Sequence, residues 1–433
     1  MKSRMRRPIL ALFLALIAAP VLADDRAPSI PSLDAPELAA LGAYAVGVRS
    51  ITLVQPDQVD PINGGRADRI LPVEIWYPAR TRPGARPVVY SAALPGEPPR
   101  PPAVFTVPGL AVRDATEAAG TFPLVILSHG YSNAPEAMSW LGENLASKGY
   151  VVAAIHHNDP DIADRNGFPG PMLRRPLDIA FVARTLQDRA RAHAPGLASA
   201  DPDRMALIGY SMGGYGVLTV AGAALDAKGP LVQAVPDGAL AAYAAAGPRQ
   251  GELALPGLKA VVTIAPAGVR FGAWGTEGLM GVTSPLLVIG GDHDATVGFT
   301  DGIAPVFAQA RRAERWMLVF QNAGHGIGMS AAPPQMRERL YDFHWFEDPV
   351  WRKDRIMGID QHMITAFLDL KVKGQADRAA YLVSDVTNGA DGRWPASAQA
   401  YDARSPGGPG QTWKGFSRNS AVGLELRYAA PAP

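Results

Sequence analysis

The chain is predicted to be an α/β protein with a mostly parallel central sheet and helices on both faces. Two observations predict this. Short, largely apolar runs recur, namely Phe122–Leu127, Tyr150–Ile155, Arg204–Ile208, Ala260–Ile264, Pro285–Ile289 and Trp316–Phe320. Stretches with helical spacing lie between them, at Trp140–Lys148, Leu177–Leu186 and Met212–Ala224. Strands apolar on both faces need cover on both faces, and alternation of strand with helix supplies it. The composition, 48% hydrophobic and 19% charged over 433 residues, is that of an ordinary globular chain. This length exceeds most single cores, so one large domain with insertions or a domain with an appendage is expected.

Taken in order, residues 1–23 read as a secretory signal. Lys2, Arg4, Arg6 and Arg7 precede an apolar run from Ile9 to Ala19, and Val21-Leu22-Ala23 offers a cleavage site. The run is too short to span a bilayer comfortably. Removing those four positive charges turns the formal +1 into −3. Residues 24–42 form a Pro- and Ala-rich leader. Val46–Val54 and Leu71–Tyr77 read as an antiparallel opening hairpin, and Pro78–Pro102 as loop. The α/β domain is placed at 43–373, closing with a helix over Arg355–Val372. Within it, about 226–258 is an Ala-, Pro- and Gly-rich insertion that composition leaves as either a lid or a surface excursion. Residues 374–433 are a C-terminal extension expected to pack on the body, with Trp394, Trp413 and Phe416 as core candidates.

Lys plus Arg is 41 against 40 for Asp plus Glu, which lacks the basic surplus a general nucleic-acid binder needs. Cys is absent, which excludes disulfides, thiolate metal sites and cysteine nucleophiles.

The chemistry centres on Gly209-Tyr210-Ser211-Met212-Gly213, a G-x-S-x-G pentapeptide with an apolar strand before it and small residues at helical spacing after it. That setting presents the Ser211 hydroxyl at the carboxyl edge of the sheet and at the amino end of a helix. A serine needs a base, and His325 follows a strand in Gln321-Asn-Ala-Gly-His325-Gly, with glycines on both sides. His344 and His362 sit in helix-like stretches and read as packed or surface residues. The carboxylate that orients the base is sought in Gly291-Asp292-His293-Asp294. Asp294, further from the strand, is favoured over Asp292, which is better placed to hold the turn. Two amides must receive the oxyanion. Met212 supplies one, and Tyr131, in Ser128-His129-Gly130-Tyr131-Ser132, the other. His129, Tyr210 and His156 are candidate pocket residues. His156-His157-Asn158-Asp159 with Asp161 is read as a loop at a strand end rather than a metal site. Arg174, Arg175 and Asp178 are read as a structural ion pair at the start of a helix.

Trp76-Tyr77-Pro78, Pro123–Gly130, Gly209–Gly213, Gly291–Asp294 and Gly324-His325-Gly326 resemble the serine α/β-hydrolases over about Val46–Leu370. Within them the chain resembles the group of platelet-activating-factor acetylhydrolases and predicted dienelactone hydrolases. Over Ser128–Tyr150 it is similar to bacterial cutinases and polyester hydrolases. The resemblance implies the α/β-hydrolase fold, with Ser211 as nucleophile, Asp294 as acid, His325 as base and the Tyr131 and Met212 amides as oxyanion hole. Two departures stand out. True dienelactone hydrolases use a cysteine nucleophile, and the stretch from Ser211 to Asp294 is longer than in compact cutinases.

The expected function is an exported, periplasmic or secreted serine hydrolase cleaving short-acyl or lipid-like carboxylic esters through an acyl-enzyme. No cofactor or metal is implied, nor nucleic acid, nor a stable membrane anchor after signal cleavage. Rival expectations are an amidase or peptidase with the same triad, a cutinase-like polyester hydrolase, and a non-catalytic binding scaffold.

Overall fold

The computed structural model describes residues 26–432, apart from 256, 384 and 401. The signal segment expected at 1–23 and the first two leader residues lie outside them.

The strands, in chain order, are β1 (Ala45–Val59), β2 (Arg66–Arg80), β3 (Val89–Leu94), β4 (Ala103–Pro108), β5 (Val112–Arg113), β6 (Thr116–Glu117), β7 (Phe122–Ser128), β8 (Val151–Ile155), β9 (Ala200–Tyr210), β10 (Leu258–Ile264), β11 (Leu286–Gly291), β12 (Arg315–Phe320) and β13 (Leu424–Ala429). The helices are α1 (Ser139–Ser147), α2 (Pro169–Arg191), α3 (Met212–Val220), α4 (Pro230–Gln233), α5 (Ala304–Gln309), α6 (Leu340–His344) and α7 (Lys353–Lys371). The main sheet runs β13-β12-β11-β10-β9-β7-β8-β2-β1-β5, with β6 attached to β2. Strands β8, β7, β9, β10, β11 and β12 are mutually parallel. The β1–β2 hairpin adds antiparallel at one side and β13 at the other.

The parallel strands are the continuous apolar runs of the sequence, and every residue of β7, β8, β11 and β12 is buried. Isoleucine, valine and leucine fill both faces, which leaves nothing for water and dictates the helical layers. Because the strands are parallel, β7, β9, β11 and β12 all end on one side of the sheet, and the loops that follow them meet there.

One stretch differs from expectation. Pro78–Pro102 is not all loop: β3 pairs with β4 as a separate two-stranded sheet. Tyr90 and Leu94 alternate inward, and the prolines around them mask that period. The hairpin is tied to the body by Glu143 of α1, which is 1% exposed. Its carboxylate accepts from Tyr90 Oη at 2.7 Å, Ser29 Oγ at 2.6 Å and the amides of Leu110 and Ala111 at 3.0 Å.

Residues 26–42 lie against α1 and α7. Asn144 donates to the Ala39 carbonyl at 2.9 Å, and the Leu38 amide donates to Nδ1 of buried His362 at 3.0 Å. Beyond Lys373, Trp413 and Phe416 are buried, with Phe416 edge-on to His362 at 5.2 Å.

Candidate active site

The Gly209–Gly213 turn joins β9 to α3. Ser211 sits at its tip with φ 54° and ψ −115°, a conformation costly for a residue with a Cβ. Neighbouring backbone holds it there. The Ser211 amide donates to Ile264 O at 2.9 Å, and its carbonyl accepts from Ala267 N at 3.0 Å. The flanking glycines are sterically required. A Cβ on Gly209 would stand 2.3 Å from the Gly213 carbonyl oxygen, and one on Gly213 2.0 Å from that of Ser128. Helix, strand and the end of β7 therefore touch through backbone.

Three sequence-predicted residues meet at the carboxyl ends of β9, β11 and β12. His325 Nε2 lies 3.0 Å from Ser211 Oγ, and His325 Nδ1 lies 2.7 Å from Asp294 Oδ2. The other oxygen of Asp294 accepts the amides of Thr296 and Val297 at 2.8 and 2.9 Å. Asp292 is occupied elsewhere, with the Asn322 amide at 2.5 Å and His293 Nδ1 at 2.8 Å. Lys353, from the first turn of α7, donates its Nζ to the Gly326 carbonyl beside the histidine, and burial lowers its pKa to about 8. Among the described residues, the backbone N–H groups of Tyr131 and Met212 have no protein acceptor.

Ser211 and His325 open into a cleft of about 480 Å³. Its wall includes Tyr131, Phe168, Tyr210, Phe271, Tyr341 and Trp345. The Tyr131 ring stands edge-on to Phe168 at 5.1 Å. Burial raises its phenol to about 12, and the hydroxyl has no hydrogen-bond partner.

Of the pocket candidates, Tyr210 lines the cleft, its hydroxyl donating to the His325 carbonyl at 3.1 Å. His129 and His156 do not. His129 is 1% exposed beneath the loop it belongs to, because its ring turns inward to bond backbone. His156 points away towards Glu136, 3.7 Å distant. His157 is committed to Ser128 Oγ at 2.9 Å and Asp178 at 3.0 Å. The ion pairs around the start of α2 are made with other segments: Asp178 with Arg69 at 2.8 Å, and Arg175 with Asp159. None of the described residues of 226–258 lines the cleft. The roof instead comes from Tyr341 and Trp345, between His325 and α7, and from Ile162 and Phe168. Sequence reasoning missed these side chains: Tyr341 and Trp345 lie in and just after the short α6, Phe168 at the start of α2 and Ile162 in the turn before it, none within a motif.

Comparison with known proteins adds to this geometry. A family model described as PETase, PET hydrolase-like, matches residues 107–237. Cutinase est1 of Thermobifida alba is 32% identical over 108 residues, a quarter of this chain and 33% of the cutinase. The bis(hydroxyethyl) terephthalate hydrolase of Streptomyces coelicolor is 31% identical over 102 residues, 24% of this chain and 29% of that protein. The chain thus spans about a third of the length of these curated relatives. A solved ferulic acid esterase from Streptomyces cinnamoneus superposes with a TM-score of 0.51 at 20% identity, covering 79% of this chain and 94% of that one. The architecture is the α/β-hydrolase fold. Over a quarter of its length the chain is also similar to cutinases.

Proposed function

We propose that the chain is an exported serine esterase in which Ser211, His325 and Asp294 act as the catalytic triad. Ser211 Oγ attacks the ester carbonyl carbon while His325 Nε2 takes its proton. Asp294 holds the imidazole with Nδ1–H towards it and steadies the imidazolium. The Tyr131 and Met212 amides receive the oxyanion. His325 then returns the proton to the departing alkoxide, and a water activated by the same ring releases the acid from Ser211. Export rests on the basic and apolar start of the sequence.

The carrying observation is the unbroken Ser211–His325–Asp294 line opening into an apolar cleft. The test is Ser211→Ala assayed on p-nitrophenyl butyrate. Loss of turnover by about 10⁴-fold or more is expected with an unchanged melting temperature, and retained turnover overturns the assignment.

The aromatic wall favours esters with a flat ring beside the carbonyl. A second reading, polyester hydrolysis, is supported by the PET hydrolase-like match and the same aromatic lining. Product release from an aromatic polyester film, measured beside soluble aryl esters, separates the two.

A further inference from the structure

The C=O of Gly130 and the N–H of Tyr131 belong to one planar trans peptide, so they point in opposite directions. Whatever holds that carbonyl also aims the amide. The group that holds it is the ring of His129, whose Nδ1 lies 2.6 Å from Gly130 O. The other ring nitrogen, Nε2, faces the backbone N–H of His157 at 3.3 Å. An amide only donates, so Nε2 accepts and the ring proton sits on Nδ1. Burial, with Arg175 adding to it, holds His129 well below the usual histidine range, so the ring stays neutral.

Behind it lies a second chain of groups. His157 Nε2 meets Ser128 Oγ, the residue that opens the loop, and His157 Nδ1 meets Asp178, which is paired with Arg69. Ser128, His157 and Asp178 repeat the residue types and contacts of Ser211, His325 and Asp294. They are 0%, 1% and 0% exposed, so no substrate reaches them. On the far side of the loop, Asp159 accepts the Ser132 amide at 3.0 Å, and Arg175 donates to the His129 carbonyl at 3.1 Å.

We propose that His129 is a positioning residue for the oxyanion site: by donating from Nδ1 to the Gly130 carbonyl it sets the direction of the Tyr131 N–H. The His157–Asp178–Arg69 chain holds the backbone that fixes its tautomer. The bond also polarises the peptide and strengthens its donor end. This inference rests on the esterase reading above.

The test pairs two variants with one spectrum. Asparagine carries an amide nitrogen at the same distance along the side chain as Nδ1; glutamine carries its own at that of Nε2. His129→Gln should lower kcat on p-nitrophenyl butyrate about 10- to 100-fold with KM within about twofold, and His129→Asn should recover most of the loss. The imidazole ¹⁵N spectrum of the unaltered protein should show His129 as the neutral Nδ1–H form across neutral pH. Unchanged kcat in His129→Gln, a loss carried by KM alone, no recovery in His129→Asn, or an Nε2–H signal overturns the proposal. If His129→Gln does not fold, the asparagine variant and the spectrum decide. Should the unaltered protein neither cleave the ester nor react at Ser211 with a fluorophosphonate, the esterase reading falls, and the spectrum still settles the His129–Gly130 bond.

Discussion

Asp294 divides its carboxylate between two tasks: Oδ2 faces His325 Nδ1 at 2.7 Å, while Oδ1 caps the amides of Thr296 and Val297. The division separates chemistry from folding. Asp294→Asn keeps an acceptor for the two amides but presents a neutral partner to the ring. It should lower kcat by about 10⁴-fold with little change in melting temperature. Asp294→Ala should lose similar activity and, in addition, about 1–3 kcal/mol of stability, because the buried Val297 amide and the partly buried Thr296 amide lose their acceptor. Steady-state kinetics and urea unfolding of both variants check this.

Acid should destabilise the protein through its buried histidines. Burial lowers His362 to about 3, against about 6.5 when exposed. A depressed folded value means the unfolded chain binds the proton first, so stability is full above about 6.5 and is lost as pH falls towards 3. His129 and His157 carry the same sign. Protonation of His362 also removes the acceptor of the Leu38 amide. Unfolding midpoints should therefore fall across that window, with proteolysis of residues 26–42 preceding global unfolding. His362→Leu should flatten the slope.

Glu143 joins three segments that are distant in sequence, and removing it leaves four donors facing no acceptor. Glu143→Ala should cost about 3 kcal/mol or more. The residue is remote from Ser211 in the contacts it makes, so kcat of the folded fraction should hold. Denaturant midpoints read beside active-site titration check both halves.

Tyr341 and Trp345 roof the cleft from a short segment after His325. Replacing both with alanine should widen it. The ratio of kcat/KM for p-nitrophenyl octanoate to that for the acetate should rise several-fold, since each added methylene finds about 0.8 kcal/mol of burial where room exists.

The parallel strands were legible because burial on both faces writes itself as an unbroken apolar run. The Gly209–Gly213 turn was legible because a backbone-to-backbone contact admits only glycine, and His325 and Asp294 because each follows such a run. Strands β3 and β13 were not. Their partners are chosen by distant packing: β13 pairs with β12 from over a hundred residues away, and Tyr90 of β3 is ordered by Glu143. The cleft wall was illegible for a related reason. Ile162, Phe168, Tyr341 and Trp345 are brought together only by the fold, and no local period marks them. His129 lay in a motif the sequence singles out, yet its ring faces inward, and side-chain direction in a turn is not encoded by spacing.

Strand β13 has a consequence for the fate of a shortened chain. It covers the ladder of β12 from Arg315 to Phe320, a strand buried along its whole length. Its own outer rim carries Glu425, Arg427 and Tyr428. A polypeptide cut before Leu424 would trade that charged margin for a greasy, unpaired border, an open template for self-association. Loss of β13 should therefore show first as lost solubility and only then as lost activity.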